Sequence, residues 1–90
     1  MPSREEYQTL ITEIIQKQIM VLGPDIAIHK AEQVGGLKLD KSGQVLGVTG
    51  SEQEILQRLV DKYIELSGEI VKNILSPVFA KYPTINIKIK

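Results

Sequence analysis

The sequence has no cysteine and only one histidine, His29. Without cysteine there is no disulfide framework, no thiolate metal site and no cysteine nucleophile. A lone histidine cannot form a two-histidine zinc site, and its neighbouring carboxylates, Asp25 and Glu32, come with no nucleophile for a general base to activate. We therefore expect no metal, no cofactor and no catalytic residues, and we interpret His29 as a surface or interface side chain.

Long apolar runs and an excess of one charge are also lacking. No run of about 18 apolar residues occurs, so we expect no transmembrane helix. The opening residues 1–6 lack the basic-then-apolar order of a secretory signal. Eleven basic residues balance eleven acidic ones, which argues against a dedicated nucleic-acid binder. We predict a cytoplasmic protein that does not bind membranes.

Charge is unevenly distributed along the chain. From Ile70 onward there are lysines but no acidic residue. We interpret this as one of two complementary ends of a folded domain, and weak nucleic-acid binding by the C-terminus is the alternative. Aromatic residues are few and sit at core spacing, which does not favour a base-stacking platform. The lysines concerned are Lys72, Lys81, Lys88 and Lys90.

The longest periodic segment runs from Ser51 to Ser76. Ser51 followed by Glu54 has the spacing of a helix capping box, and apolar residues then recur every three or four positions, as in an amphipathic helix. Because the periodicity continues across Gly68, we predict one helix over 51–76, extended to about 81. Gly68 is the expected position of a kink.

This predicted helix has more apolar surface than one neighbouring layer can cover. Its apolar arc spans roughly 200°, against the stripe of about 100° that packing on one layer requires. It would be roughly 37 Å long, in a chain whose radius of gyration should be about 12 Å. We therefore predict that the surplus binds a second copy, giving a homodimer, or another protein partner. The candidate interface residues are Ile55, Leu59, Val60, Tyr63, Ile70, Val71 and Ile74.

Capping and turn signals divide the rest of the chain into shorter elements. Helix starts are indicated by Ser3 with Glu6 and by Pro24, and glycines mark the stops. Alternating apolar residues flank a turn at Asp40–Gly43 and recur at the C-terminus, where a strand could join the hairpin or the sheet of a partner. The sequence thus predicts one α+β domain over 1–90, with two N-terminal helices (4–22 and 24–34), a β-hairpin (37–49), one long central helix (51–76) and a C-terminal β-strand (84–90).

Two segments have a superficial likeness to ligand-binding loops. Around Asp40 the frame of a calcium loop fails, because its first and last positions would be Lys38 and Thr49. The glycine-rich loop before the central helix could offer free amides to an anion, but it matches no nucleotide-binding motif. We favour a plain strand-to-helix connection, and keep an anion- or small-molecule-binding regulatory domain as the alternative. Its candidate residues are Gly47, Thr49, Gly50 and Ser51.

The segment Leu22-Gly-Pro-Asp-Ile-Ala-Ile-His-Lys-Ala31, after an amphipathic helix, resembles small helical modules found alone or appended to bacterial and cyanobacterial signalling proteins. The resemblance covers this short segment only. It implies a regulatory interaction module and no catalytic residues. Together with the surplus apolar arc, it leads us to predict a non-enzymatic protein-interaction or regulatory module that self-associates.

Overall fold

The computed structural model describes residues 3–85 and residue 87. These residues form four helices and one antiparallel two-stranded hairpin, so the fold is α+β. The elements in chain order are α1 (Arg4–Leu22), α2 (Pro24–Val34), β1 (Leu37–Leu39), β2 (Val45–Val48), α3 (Glu52–Ser67) and α4 (Glu69–Ala80).

Local signals place the first turns of the helices. The hydroxyl oxygens of Ser3 and Ser51 accept hydrogen bonds from the amides of Glu6 and Glu54, at 3.1 and 3.3 Å. Such bonds satisfy amides that a helix leaves unpaired at its start. Pro24 is the first residue of α2, where its missing N–H costs nothing. α1, α2 and the hairpin therefore lie where the sequence predicted them.

The hairpin turn is closed by Asp40 and packs on α1. The Asp40 carboxylate accepts hydrogen bonds from the Ser42 hydroxyl and from the amides of Ser42 and Gln44. The Ser42 hydroxyl and then the Gln44 amide are the main causes that lower the pKa of Asp40. A Cβ at Gly43 would lie only 2.9 Å from Ile19 Cδ1, so the turn rests directly on α1. Asp40 thus acts in turn formation, as predicted.

The core lies between α1, α3, α4 and the inner face of β2. Tyr63 is the largest fully buried side chain, and its hydroxyl donates to the carbonyl oxygen of Ala27 at 2.8 Å. This bond joins α3 to the beginning of α2. The other fully buried large side chains are Leu10, Ile11, Ile14, Ile15, Gln18, Leu56, Leu59, Val60, Val71, Leu75 and Val78.

The prediction of one continuous central helix is wrong, because the chain breaks at Gly68, the position at which the sequence indicated a kink. Gly68 has φ 63° and ψ −132°, a conformation open to glycine and strained for other residues. Its amide donates to the Ile64 carbonyl at 2.7 Å and ends α3. A straight helix over 52–80 would be about 43 Å long, whereas the molecule extends 31 Å at most. The bend lets α4 pack against α1 and α3.

The C-terminal part also departs from the prediction. α4 continues through Pro77 to Ala80, close to the expected extension. Thr84 and Ile85 then lie in a turn and a bend, so the predicted strand is not formed there. The Ile85 amide donates to the Tyr82 carbonyl at 3.0 Å, and the Ile85 side chain is buried. Residues 86 and 88–90 of the predicted strand lie outside the described residues.

Candidate functional site

The candidate interface predicted from the sequence is mostly inside the protein. Ile55, Leu59, Val60, Tyr63 and Val71 are at most 4% exposed, Ile74 is partly buried, and Ile70 alone of the seven is 55% exposed. The surface area of 5342 Å² matches the roughly 5,200 Å² expected for a monomer of this mass. Most of the arc is therefore covered within the chain, because the bend at Gly68 returns α4 to the core, while Leu66 and Ile70 stay about half exposed.

The candidate anion loop is brought to the start of α3, where the Thr49, Glu52 and Glu54 amides already have partners. Ser51 caps the Glu54 amide. The Glu52 carboxylate accepts hydrogen bonds from its own backbone amide and from Arg4, which lower its pKa. Thr49, Gly50 and Ser51 line a groove of about 330 Å³ that also includes the Glu54 carboxylate. Gly47 does not line it, so the groove brings together three of the four candidate residues. Carboxylates at this helix start oppose the binding of an anion.

The helices are arranged so that four helix ends meet at one end of the molecule. Arg4 pairs with Glu52 at 2.9 Å and the Tyr7 hydroxyl donates to Gln53 at 2.9 Å, so the starts of α1 and α3 lie side by side. The Tyr63–Ala27 hydrogen bond places the beginning of α2 beside the last part of α3. The C-termini of α1 and α3 and the N-termini of α2 and α4 therefore share an end, which we call the apolar end.

Large apolar side chains are exposed at this apolar end. Met20 and Val21 lie in the last turn of α1, and Ile26 lies in the first turn of α2. Leu66 and Ile70 lie on either side of the break at Gly68. Their exposed fractions are 82%, 39%, 50%, 44% and 55%, in that order. Leu46, on the hairpin, is also 54% exposed but does not belong to this group. Of these five residues, the sequence predicted only Ile70 as a candidate interface residue. Exposure here depends on where the helices end, which apolar periodicity does not show.

One buried polar side chain has no hydrogen-bond partner among the described residues. Gln18 of α1 is fully buried, and neither its amide nitrogen nor its carbonyl oxygen is paired there. A buried polar group left unpaired costs about 1–3 kcal/mol. The apolar periodicity of the sequence does not identify Gln18 as buried, since a glutamine on an amphipathic helix is ordinarily assigned to the solvent-exposed face.

Glu13 connects α1 to the end of α4. Its carboxylate accepts hydrogen bonds from Lys81 Nζ and from the Tyr82 hydroxyl, each at 2.9 Å. Burial favours the neutral form of Glu13, but these bonds and the charges of Lys81 and Lys17 outweigh it, so its pKa lies below the ordinary value. Burial first, and then the bond to Glu13, raise the pKa of Tyr82 to about 12. This pair of bonds holds α4 against α1.

The remaining polar features predicted from the sequence are His29 and the C-terminal lysines. His29 is exposed, contacts Gln33 at 3.2 Å and borders an open groove of about 540 Å³. No group of three or more His, Cys, Asp or Glu side chains that could hold a metal ion occurs among residues 3–85 and 87. Of the C-terminal lysines, Lys72 pairs with Glu69 and Lys81 with Glu13.

Comparison with protein-family models, curated proteins and solved structures found no match to this chain. The resemblance of the segment 22–31 to helical signalling modules thus stays a prediction. Among the described residues, no helix is both long and apolar enough to cross a membrane.

Proposed function

We propose that this protein is a non-enzymatic interaction module that binds a second copy of itself through the apolar end. The observation that carries the proposal is the exposure of Met20, Val21, Ile26, Leu66 and Ile70 where four helix ends meet. Single exposed apolar residues are ordinary on protein surfaces. Five of them at neighbouring helix ends support an interaction site, because apolar patches on soluble monomers mark such sites.

Charge at the apolar end favours a second copy as the partner. The helix ends carry acidic Asp25, Glu65 and Glu69 as well as basic Lys17 and Lys72, of which Glu69 and Lys72 also pair with each other within the chain. In a two-fold symmetric dimer the same patch faces itself, so a rim with both signs can pair acid with base across the interface. The formal net charge of zero adds no long-range repulsion between copies.

Charged substitutions at the apolar end test this proposal directly. We expect sedimentation at micromolar concentration to give a dimer, and Leu66→Glu or Ile70→Glu to raise its Kd at least about tenfold by placing a carboxylate in an apolar interface. Leu46→Glu is the matched control, since Leu46 is as exposed as Ile70 but lies on the hairpin. A monomer at all concentrations would overturn the proposal, as would equal weakening by the control.

A non-enzymatic role is supported by how the perturbed acidic groups are used. The carboxylates of Glu13, Asp40 and Glu52 have lowered pKa values. Each is bonded to a neighbouring element or turn: Glu13 to the end of α4, Asp40 within the hairpin, and Glu52 to Arg4. These bonds hold the fold together, and in them the carboxylates accept hydrogen bonds from lysine, amide and arginine donors that favour the ionised form.

A further inference from the structure

α3 and α4 retain the apolar periodicity of a single helix although the chain bends between them. Leu59, Tyr63, Leu66, Ile70 and Ile74 follow one another at steps of three or four residues across Gly68. Apolar rows of this kind predict one amphipathic face when the residues are helical throughout. The same residues therefore suit two arrangements, a bent pair of helices and one straight helix.

Two backbone hydrogen bonds are formed at the bend, from the Gly68 amide to the Ile64 carbonyl and from the Val71 amide to the Gly68 carbonyl. A single residue, Gly68, separates the two helices. Among the described residues, no side-chain hydrogen bond caps the start of α4, and nothing lies within 4 Å of where a Cβ at Gly68 would be. What keeps α4 in place is its packing on α1 and α3, through buried Val71, Leu75 and Val78 and the bonds to Glu13.

We propose that Gly68 is a hinge and that two copies of the chain exchange α4. This inference rests on the proposed self-association and specifies its form. When residue 68 becomes helical, α3 and α4 form one helix, and α4 packs on α1 and α3 of the second copy. Every contact of α4, including Lys81 with Glu13, is then remade between chains, as in other domain-swapped dimers. The difference in free energy between the closed monomer and the exchanged dimer is confined to the hinge and to the surfaces that the two copies bring together.

Leu66 and Ile70 favour a second copy of the chain as the partner that binds the straightened helix. They lie on either side of the bend, about half exposed. In a straight helix they are four residues apart and occupy one row. Where the straight helices of the two copies cross near residue 68, these rows can pack against each other and become buried from solvent. The closed monomer offers them no such cover.

Replacing the hinge glycine should move the equilibrium toward the exchanged dimer. Gly68→Ala disfavours the positive φ of the bend and favours a continuous helix in both chains. We expect the dimer Kd to fall about tenfold or more, measured by sedimentation. The matched control is Gly23→Ala, at φ 87° with equally open surroundings in the described structure. Pro24 follows it and prevents a straight helix, so this variant should lower stability without favouring the dimer.

Cross-linking α1 to α4 separates exchange from simple docking. Because the sequence contains no cysteine, Glu13→Cys combined with Lys81→Cys introduces the only thiols, at positions whose side chains meet in the structure. A short bis-maleimide is then applied to the protein at dimer-forming concentration. Exchange predicts a double-size band on a denaturing gel, since each α1–α4 contact joins two chains.

The other outcomes are distinct. If sedimentation shows a dimer but the cross-link forms within one chain, the exchange is overturned while the proposed function stands. If the wild-type protein is monomeric throughout, both fail. A Gly68→Ala variant that gains no more dimer than Gly23→Ala also overturns the hinge, whatever the cross-linking pattern.

Discussion

The hydroxyl of Tyr63 donates a hydrogen bond to the carbonyl oxygen of Ala27 at 2.8 Å, inside the core and across 36 positions of sequence. Burial strongly raises the pKa of this phenol, so the hydroxyl stays protonated and remains a donor. The bond fixes the last part of α3 against the first turns of α2. It therefore orients the helix ends at which the apolar residues are exposed.

Tyr63→Phe should lower the free energy of unfolding by about 1 kcal/mol, because the buried carbonyl loses this donor while the ring stays packed. Urea unfolding followed by circular dichroism measures the change. Tyr7→Phe is the matched control: its hydroxyl bonds to Gln53 in a part-buried position, so a smaller loss is expected. A larger loss for Tyr7→Phe than for Tyr63→Phe would contradict this account.

Gln18→Met should stabilise the protein. Methionine has a similar shape but no polar atoms, so it removes a buried amide that the described residues leave unpaired. The free energy of unfolding should rise by about 1–3 kcal/mol. Gln44→Met is the control, because Gln44 is exposed and should show little change. A loss of stability in Gln18→Met would mean that the amide is paired in solution.

Gly36→Ala should be more damaging than Gly35→Ala. Both glycines have φ near +80°, which costs about 1–3 kcal/mol for another residue. At Gly36 the added Cβ would also lie 2.7 Å from the backbone oxygen of Thr49, whereas nothing described lies within 4 Å at Gly35. The difference in Tm between the two variants in thermal unfolding measures the destabilisation that the clash causes. Equal Tm values would show that the backbone at Thr49 yields easily.

Tyr82 should make stability fall in alkaline solution. Its pKa is raised from 10.0 to about 12 in the folded protein, by burial and then by its bond to Glu13. Folding therefore favours the protonated phenol: this contribution is complete below pH 10 and is lost as pH rises to about 12. In urea unfolding over this range, Tyr82→Phe should show a shallower decline than the wild type. Parallel declines would contradict the assignment.

The sequence by itself determined those features that depend on neighbours a few residues away. Ser3 and Ser51 cap amides three positions on, and Asp40 closes a turn through atoms two and four positions away. Pro24 starts a helix because its ring fixes φ and removes a donor that would be unpaired. These interactions are set by side-chain chemistry and spacing alone, so helix starts and the hairpin turn could be predicted.

The sequence indicated where a bend could occur, but only the tertiary structure decided that the chain breaks there and, with it, the surface of the protein. A straight helix and a bent pair satisfy the same periodicity, so residues 51–76 could not distinguish between them. The choice depends on contacts distant in sequence, such as Lys81 with Glu13, which lie 68 positions apart. Those contacts bury Val71 and Leu75 and leave Leu66 and Ile70 at the apolar end, because a side chain's exposure is set by what packs over it.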